Sequence, residues 1–264
     1  MRQTDDLSTP LNALQHSLAQ LSLQPPRCLW LGETDSTNQY LQRLPIEAHE
    51  NVLLIADQQS QGKGQAGRVW QSPTGNLYLS VCLPIKQSLQ GRLALEAALA
   101  IVQIPLLASL SGLGVKWPND LYHQQAGELR KFGGILIEAK SAHQVIIGVG
   151  INLTFMQNYV HDQSVTDLSS LLHTPIARPT LASQIYLALV KAVQQFDHDS
   201  PELPARFTRS DLMANQTVQV TLPNQRLVIG RADGVAADGA LRVISSDGVQ
   251  SIYSGQLRRI CQGQ

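Results

Sequence analysis

Residues 51–80 read NVLLIADQQSQGKGQAGRVWQSPTGNLYLS. An apolar run of strand length, NVLLIAD, leads into Gly62, Gly64 and Gly67, which together spell G-x-G-x-x-G. Dinucleotide-binding turns and kinase glycine loops share that spacing, because glycine lets the backbone turn sharply and approach a ligand closely. The residues on the C-terminal side of the loop separate the readings. A dinucleotide fold needs a helix to open there and receive the pyrophosphate at its N-terminus. Here the chain continues WQSPTGNLYLS, with Pro73 and Gly75 and then β-rich residues, so a helix cannot start cleanly. A kinase also needs V-A-I-K, H-R-D and D-F-G segments, and none occurs. A Walker loop fails as well, since Lys63 is followed by Gly64 rather than Ser or Thr. On spacing alone, a flexible turn between strands is an equal reading.

Outward from this loop, short apolar runs alternate with helical patterns between Cys28 and about Leu153. The strand candidates are CLWLG, NVLLIAD, NLYLSVCLP, GVKW, GGILIEAK and QVIIGVGINL. A helix is expected from Gly91 to about Leu110, broken near Pro105, and another from Leu181 to Phe196 with Thr180 as its N-cap. Leu11, Leu14, Leu18 and Leu21 mark an amphipathic helix over 11–23 that Pro25-Pro26 stops. The fold class is therefore mixed α/β, with helices packed on a sheet. After about Met213 only short β-rich runs remain, separated by Pro-Asn, Ala-Asp-Gly and Asp-Gly turns, which predicts a small barrel.

Composition narrows the class. The chain has 264 residues, enough for a large domain plus a small module. Charged residues make up 15%, against roughly 25% in an average soluble protein, and 29 glutamines supply much of the remaining polarity. Formal net charge is zero and no long basic run exists, so the footprint of a dedicated nucleic-acid binder is missing. Cys28, Cys82 and Cys261 have no metal-ligand spacing and read as reduced thiols of a cytoplasmic protein. No apolar stretch approaches membrane-spanning length.

Several side chains suit anion chemistry. Lys63 and Arg68 flank the loop glycines, so backbone and cations can enclose a phosphate together. Trp70 offers a flat face for a base or ring, or a core tryptophan. VKWPNDLY supplies Lys116, Asn119 and Asp120; it reads either as a strand-joining turn or as a phosphate and Mg2+ site, oxygen donors being what that ion prefers. RKFGGILIEAK sets Lys131 just before Gly133 and Gly134, where a ligand can approach the backbone. Upstream, Ser36, Thr37 and Asn38 stand where a helix would begin, able to cap it or to hydrogen-bond a neutral polar head group.

Taken in order, DSTN, GKGQAGRVW, KWPND, KFGGILIE and GVGIN resemble the biotin–protein ligases, across residues 33–153. The tail from about 213 resembles that family's SH3-like C-terminal barrel. After the N-terminal helical segment, taken as 1–27, the resemblance implies a biotin/lipoate ligase-like mixed-sheet catalytic domain over 28–212 and the barrel over 213–264. It implies ATP-dependent formation of biotinyl-5′-adenylate, with Mg2+, and transfer to a lysine of a biotin carboxyl carrier protein or domain. Ser36, Thr37, Asn38, Gln59, Lys63, Gly64, Gln65, Lys131 and Gly134 would bind biotin. Lys63, Arg68, Trp70, Lys116, Asn119, Asp120 and Asn152 would serve ATP, with Asp120 the candidate Mg2+ ligand. Lys131 and Arg68 are the implied catalytic cations.

Two motifs depart from the family pattern. Its first two loop arginines read Lys63 and Gln65 here, and its S-G-E reads Ser254-Gly255-Gln256; both bear on how tightly the adenylate is held. A lipoate or octanoate transferase is the rival within the fold class, disfavoured by KWPND and by the G-R-x-W signature. A DNA-binding repressor is the rival from another class; only about 27 residues precede the catalytic segment, so no DNA binding is expected. A binding module without catalysis would be expected to lack Lys131 or Arg68. A monomer or weak homodimer completes the expectation.

Overall fold

Alternation along the central strands decides which side of the sheet meets which helices. In the computed structural model, which describes residues 9–21, 25–154 and 164–260, the described residues form six α-helices and twelve strands. The helices are α1 (Pro10–Leu21), α2 (Thr37–Arg43), α3 (Arg92–Val102), α4 (Leu168–Leu172), α5 (Arg178–Asp197) and α6 (Leu203–Thr208). The first seven strands are β1 (Arg27–Thr34), β2 (Val52–Gln59), β3 (Leu77–Pro84), β4 (Leu113–Lys116), β5 (Asp120–Gln125), β6 (Glu128–Ser141) and β7 (Gln144–Ile151). They build one sheet in the order β1-β2-β3-β7-β6-β5-β4, antiparallel except for the β1–β2 pair.

Leu53 and Ile55 of β2 point into the main apolar core with Leu14 and Leu18 of α1, Leu93 and Leu99 of α3, and Leu181 and Leu189 of α5. Their neighbours Val52 and Leu54 point the other way, into a smaller cluster with Leu41 of α2, Cys82 and Ile146. This is the period of two that a pleated strand imposes. On β7 the same alternation sends Val145, Ile147, Val149 and Ile151 to the main core. The opposite face runs Ile146, Gly148, Gly150, Asn152, so apolar cover gives way to glycine and then to a polar side chain. That thinning opens the site beside α2.

The remaining strands, β8 (Thr217–Thr221), β9 (Leu227–Val235), β10 (Leu241–Ser245), β11 (Gly248–Ile252) and β12 (Gln256–Arg259), make a separate antiparallel sheet ordered β11-β10-β9-β8-β12. This is the small β module that the turn-punctuated tail predicts. It is tied to the main sheet in several places. Trp117 Nε1 donates to Gly239 O at 3.1 Å, and an Arg259 guanidinium N–H donates to Gly127 O at 2.9 Å. The connecting segment lies along the edge strand β4, with Val115 N donating to Ser210 O at 2.7 Å.

Some expectations are corrected. Thr180 does not cap α5, which starts at Arg178 with Ala177 as N-cap; Pro179 sits in the first turn, where its missing N–H costs nothing. The helix expected to reach Leu110 ends at Val102, and Pro105 opens a separate 3-10 turn. β6 begins at Glu128, not at Gly133, so Lys131 is inside the strand and 7% exposed. Residues 22 and 23 of the expected first helix, and Cys261, lie outside the described residues.

Candidate active site

The glycine loop is a hairpin, not a helix entry. Trp70 N donates to Gly62 O at 2.8 Å and Gly64 N to Arg68 O at 2.7 Å, and Lys63 pairs with Val69 across the ladder. The tip turns through Ala66 and Gly67, both with positive φ (54° and 73°). Gly62 has no room for a side chain, since a Cβ would stand 2.3 Å from Trp70 O. A tight hairpin of this kind carries Lys63 and Arg68 outward on exposed positions and returns Trp70 to the sheet.

Trp70 comes to rest on the glycines. A Cβ on Gly150 would lie 2.6 Å from its ring and one on Gly134 would lie 3.2 Å away, so only glycine at 150 lets the indole settle there. Gly134 and Gly150 are register partners on β6 and β7. Lys131 Nζ stands 5.1 Å from the indole centroid, a cation–π distance, and 2.6 Å from Asp120 Oδ1.

Lys131 reaches this face through a β-bulge. Leu121 pairs with Gly133 and Tyr122 with Lys131, so Phe132 is the extra residue. Phe132 turns into the main core, and Lys131 is thereby re-aimed to the side of Gly134. Its backbone is then fixed: Thr166 N donates to Lys131 O at 2.9 Å, and Asn152 Nδ2 reaches Thr166 O at 3.1 Å. Asn119 likewise clips the β4–β5 turn to β6, with Ile135 N donating to Asn119 O at 3.0 Å.

At the other end, α2 presents its N-terminus. Ser36 occupies the N-cap position but makes no side-chain cap bond; Asp35 accepts from Ser36 N at 2.8 Å and takes both Arg43 guanidinium N–H groups. The Arg43 guanidinium holds the Asp35 carboxyl well below the usual range. Gln59 Oε1 accepts from Thr37 N at 2.9 Å, while Gln59 Nε2 donates to Ser72 Oγ at 2.8 Å. The Ser80 hydroxyl bridges Asn38 Oδ1 (2.6 Å) and Thr37 Oγ1 (2.7 Å). Polar groups are buried here, and these bonds give each at least one internal partner.

Lys116 completes the cationic end. Its ammonium donates to Tyr122 OH at 3.3 Å and lies 5.0 Å from that ring's centroid. Burial pushes its pKa down; Asp120 opposes this, and the positive charges of Lys131, Arg258 and Arg68 push the same way as burial. Four cations therefore share one field.

A single cavity of about 840 Å³ joins both ends. It is lined by every residue that the resemblance assigns to biotin or ATP: Ser36, Thr37, Asn38, Gln59, Lys63, Gly64, Gln65, Arg68, Trp70, Lys116, Asn119, Asp120, Lys131, Gly134 and Asn152. Its size suits a small ligand well. Sequence reasoning missed Tyr122, Arg258 and Arg259 at the wall, and Ser80 and Glu138 behind it. Gly148 and Gly150 were visible only as part of GVGIN, though alternate glycines leading to Asn152 are a readable signal of backbone approach. Among the described residues, no group of three or more His, Cys, Asp or Glu forms a metal cage. Asp120 is the acid beside the cations, and it is paired with Lys131.

Comparison with known proteins identifies the family. Residues 30–152 match the biotin/lipoate A/B protein ligase family, and residues 214–256 match the biotin protein ligase C-terminal domain. The bifunctional ligase/repressor BirA of Escherichia coli K12 is 33% identical over 232 residues, covering 84% of this chain and 70% of that protein. The biotin–[acetyl-CoA-carboxylase] ligase of Mycobacterium tuberculosis is 31% identical over 223 residues, 80% of each chain. The structure of the Aquifex aeolicus biotin protein ligase in complex with biotin and ATP superposes with a TM-score of 0.73 at 25% identity, covering 89% of this chain and 99% of that one. Two matched domains in sequence order, a relative above 30% identity along most of its length, and a shared fold make one conclusion: the chain belongs to the biotin–protein ligase family.

Proposed function

We propose that this protein activates biotin with ATP and transfers the biotinyl group to a lysine of a biotin carboxyl carrier protein or domain. One observation carries the reading: a neutral hydrogen-bonding pocket and a cluster of cations lie on the same face of β6 and β7, joined by a glycine floor. From Gly148, under Asn38, to Asn152 is ~13 Å at about 3.3 Å per residue. That separation fits a ligand with a polar, uncharged head and a carboxylate at its far end.

In the first step a biotin carboxylate oxygen attacks the α-phosphorus of ATP, and pyrophosphate leaves. An anion must approach a polyanion, so preorganised positive charge dominates the barrier. Lys131, whose backbone is held by its bulge and by Asn152, would contact the reacting carboxylate and α-phosphate. Arg68 and Lys63 close over the phosphates from the hairpin, Lys116 adds charge from β4, and Trp70 packs beside the adenosine. Mg2+ would keep few protein ligands; Asp120 would be its carboxylate ligand, and the ion would supply charge neutralisation on the phosphates. In the second step the carrier amine attacks the acyl carbon of the mixed anhydride and AMP departs.

The carrier is the proposed partner, and the proposed assembly is a monomer or weak homodimer. DNA is not a proposed partner, because the formal net charge is zero and no long basic run offers the phosphate contacts that binding needs. No described helix is long and apolar enough to cross a membrane. The free thiols of Cys28 and Cys82, and a reaction that consumes ATP, support a cytoplasmic site of action.

The test is incubation with ATP, Mg2+, biotin and a carrier domain, read by intact mass. One biotinyl group should appear on the acceptor lysine. A lipoyl or octanoyl adduct in place of a biotinyl one would overturn the proposal.

A further inference from the structure

Asn38 connects the cavity to a residue that does not line it. Its side chain is buried, and both Nδ2 hydrogens have partners: Leu136 O at 3.3 Å and Glu138 Oε2 at 2.7 Å. Oδ1 lies 2.6 Å from the Ser80 hydroxyl and sits over Gly148, where a Cβ would stand 2.3 Å from it. A carboxamide can be turned end for end with almost no change of shape, so its neighbours' polarity decides which end faces where. A hydroxyl such as Ser80 can donate or accept and exerts little choice. Leu136 O and Glu138 can only accept, and the bond to Glu138 is the charge-assisted one.

The hydrogen-bonding capacity left on Asn38 is a lone pair of Oδ1, an acceptor. Thr37 N is likewise already committed to Gln59 Oε1. We infer that Glu138 is a specificity-determining positioning residue. By holding the Asn38 amide in one sense, it makes this end of the cavity select a head group presenting an N–H donor, as a cyclic urea does. Glu138 does not line the cavity, so it acts through Asn38. The inference rests on the biotin ligase reading and deepens it. A dithiolane or alkyl end offers no hydrogen to Oδ1 and would leave its second lone pair without a donor, with Ser80 as its one partner, a smaller form of the loss by which polar sites reject isosteres.

The experiment compares Glu138→Met, which removes the acceptor at similar length, with Glu138→Gln, which keeps an acceptor oxygen. Adenylate formation is followed with biotin and with an analogue methylated at the ureido nitrogens. Glu138→Met should raise KM for biotin about tenfold or more, the loss of one charge-assisted bond, with KM for ATP changed less than about twofold. Its preference for biotin over the methylated analogue should shrink by a similar factor, and Glu138→Gln should recover most of both. Ser80→Ala removes the hydroxyl on Oδ1 and leaves Glu138 in place, so its rise in KM for biotin should be smaller than that of Glu138→Met.

An unchanged KM in Glu138→Met would overturn the proposal, as would equal impairment of Met and Gln variants for biotin and ATP alike. A rise in KM for Ser80→Ala as large as that of Glu138→Met would assign the orientation to Ser80 and overturn it too. Native protein that activates lipoate and not biotin would overturn the ligase reading, and this proposal with it, before any variant is compared.

Discussion

Lys131 shows what one residue's environment adds to its identity. The sequence places it at a strand entrance, where a lysine buries little and its removal should leave folding intact. In the fold it is 7% exposed, paired with Asp120 at 2.6 Å, and turned into the site by a bulge. A one-residue insertion that depends on the partner strand leaves no mark in local pattern, so the bulge was not legible. Lys131→Ala therefore affects two quantities. Adenylate formation should fall on the order of 10²–10³, as when a preorganised charge-stabilising donor is lost. Stability should also fall, by about 1–3 kcal/mol, because the Asp120 carboxylate loses its partner. Adding Asp120→Asn should return much of the stability and none of the rate, which urea unfolding and single-turnover kinetics together would read. Near-native turnover in Lys131→Ala would remove it from the chemistry.

At the scale of elements, the strands around the site were legible because their apolar runs are long and bounded by Gly and Pro. β5 was not, since Asp120–Gln125 is short, polar and built on pairing with β4 and β6. The glycines of β7 carry the sharpest expectation. Gly148→Ala drives a methyl against Asn38 Oδ1, and overpacking of this kind typically costs about 1–3 kcal/mol. If the cost falls on the bound state, affinity for biotin should drop roughly 10- to 100-fold while ATP binding is kept, as calorimetry would show.

The segment leading to β8 carries a pH dependence. Burial pushes the Asp211 carboxyl up to about 6; Met213 N donates to Oδ1, and Oδ2 has no partner. A carboxyl whose folded pKa exceeds its unfolded value near ~3.9 stabilises the fold least when ionised. Stability should therefore decline as pH rises from about 4 through about 6, by on the order of 2 kcal/mol, and stay lower above. Asp211→Asn should raise Tm at pH 8 and leave it nearly unchanged at pH 4; the same increment at both pH values would contradict this.

For the molecule as a whole, the order of the motifs along the chain predicted which residues would meet, and the cavity brings all of them together. The contribution of the C-terminal sheet was less legible. Arg258 lies in β12, far from the other site residues in sequence, and no local pattern announces that it will face the cavity; Gln256 beside it stood out only as a departure from the family's S-G-E. The two sheets are coupled through Trp117, within the KWPND motif, and Gly239. Arg258→Ala should accordingly raise KM for ATP several-fold, with biotin affinity unchanged, because it removes one charge from the phosphate end. Loss of biotin affinity instead would mean that the module supports the fold of the site and not its field.

The central claim is that this cavity joins a neutral head group to a carboxylate activated by ATP. Acid-dependent exchange of labelled pyrophosphate into ATP tests it most directly, because it reports adenylate formation without any carrier protein. With biotin, lipoate and octanoate supplied separately at equal concentration, biotin should support rapid exchange and the other two should support little. Exchange driven by lipoate or octanoate in preference to biotin, or no biotin-dependent exchange at all, would contradict the account.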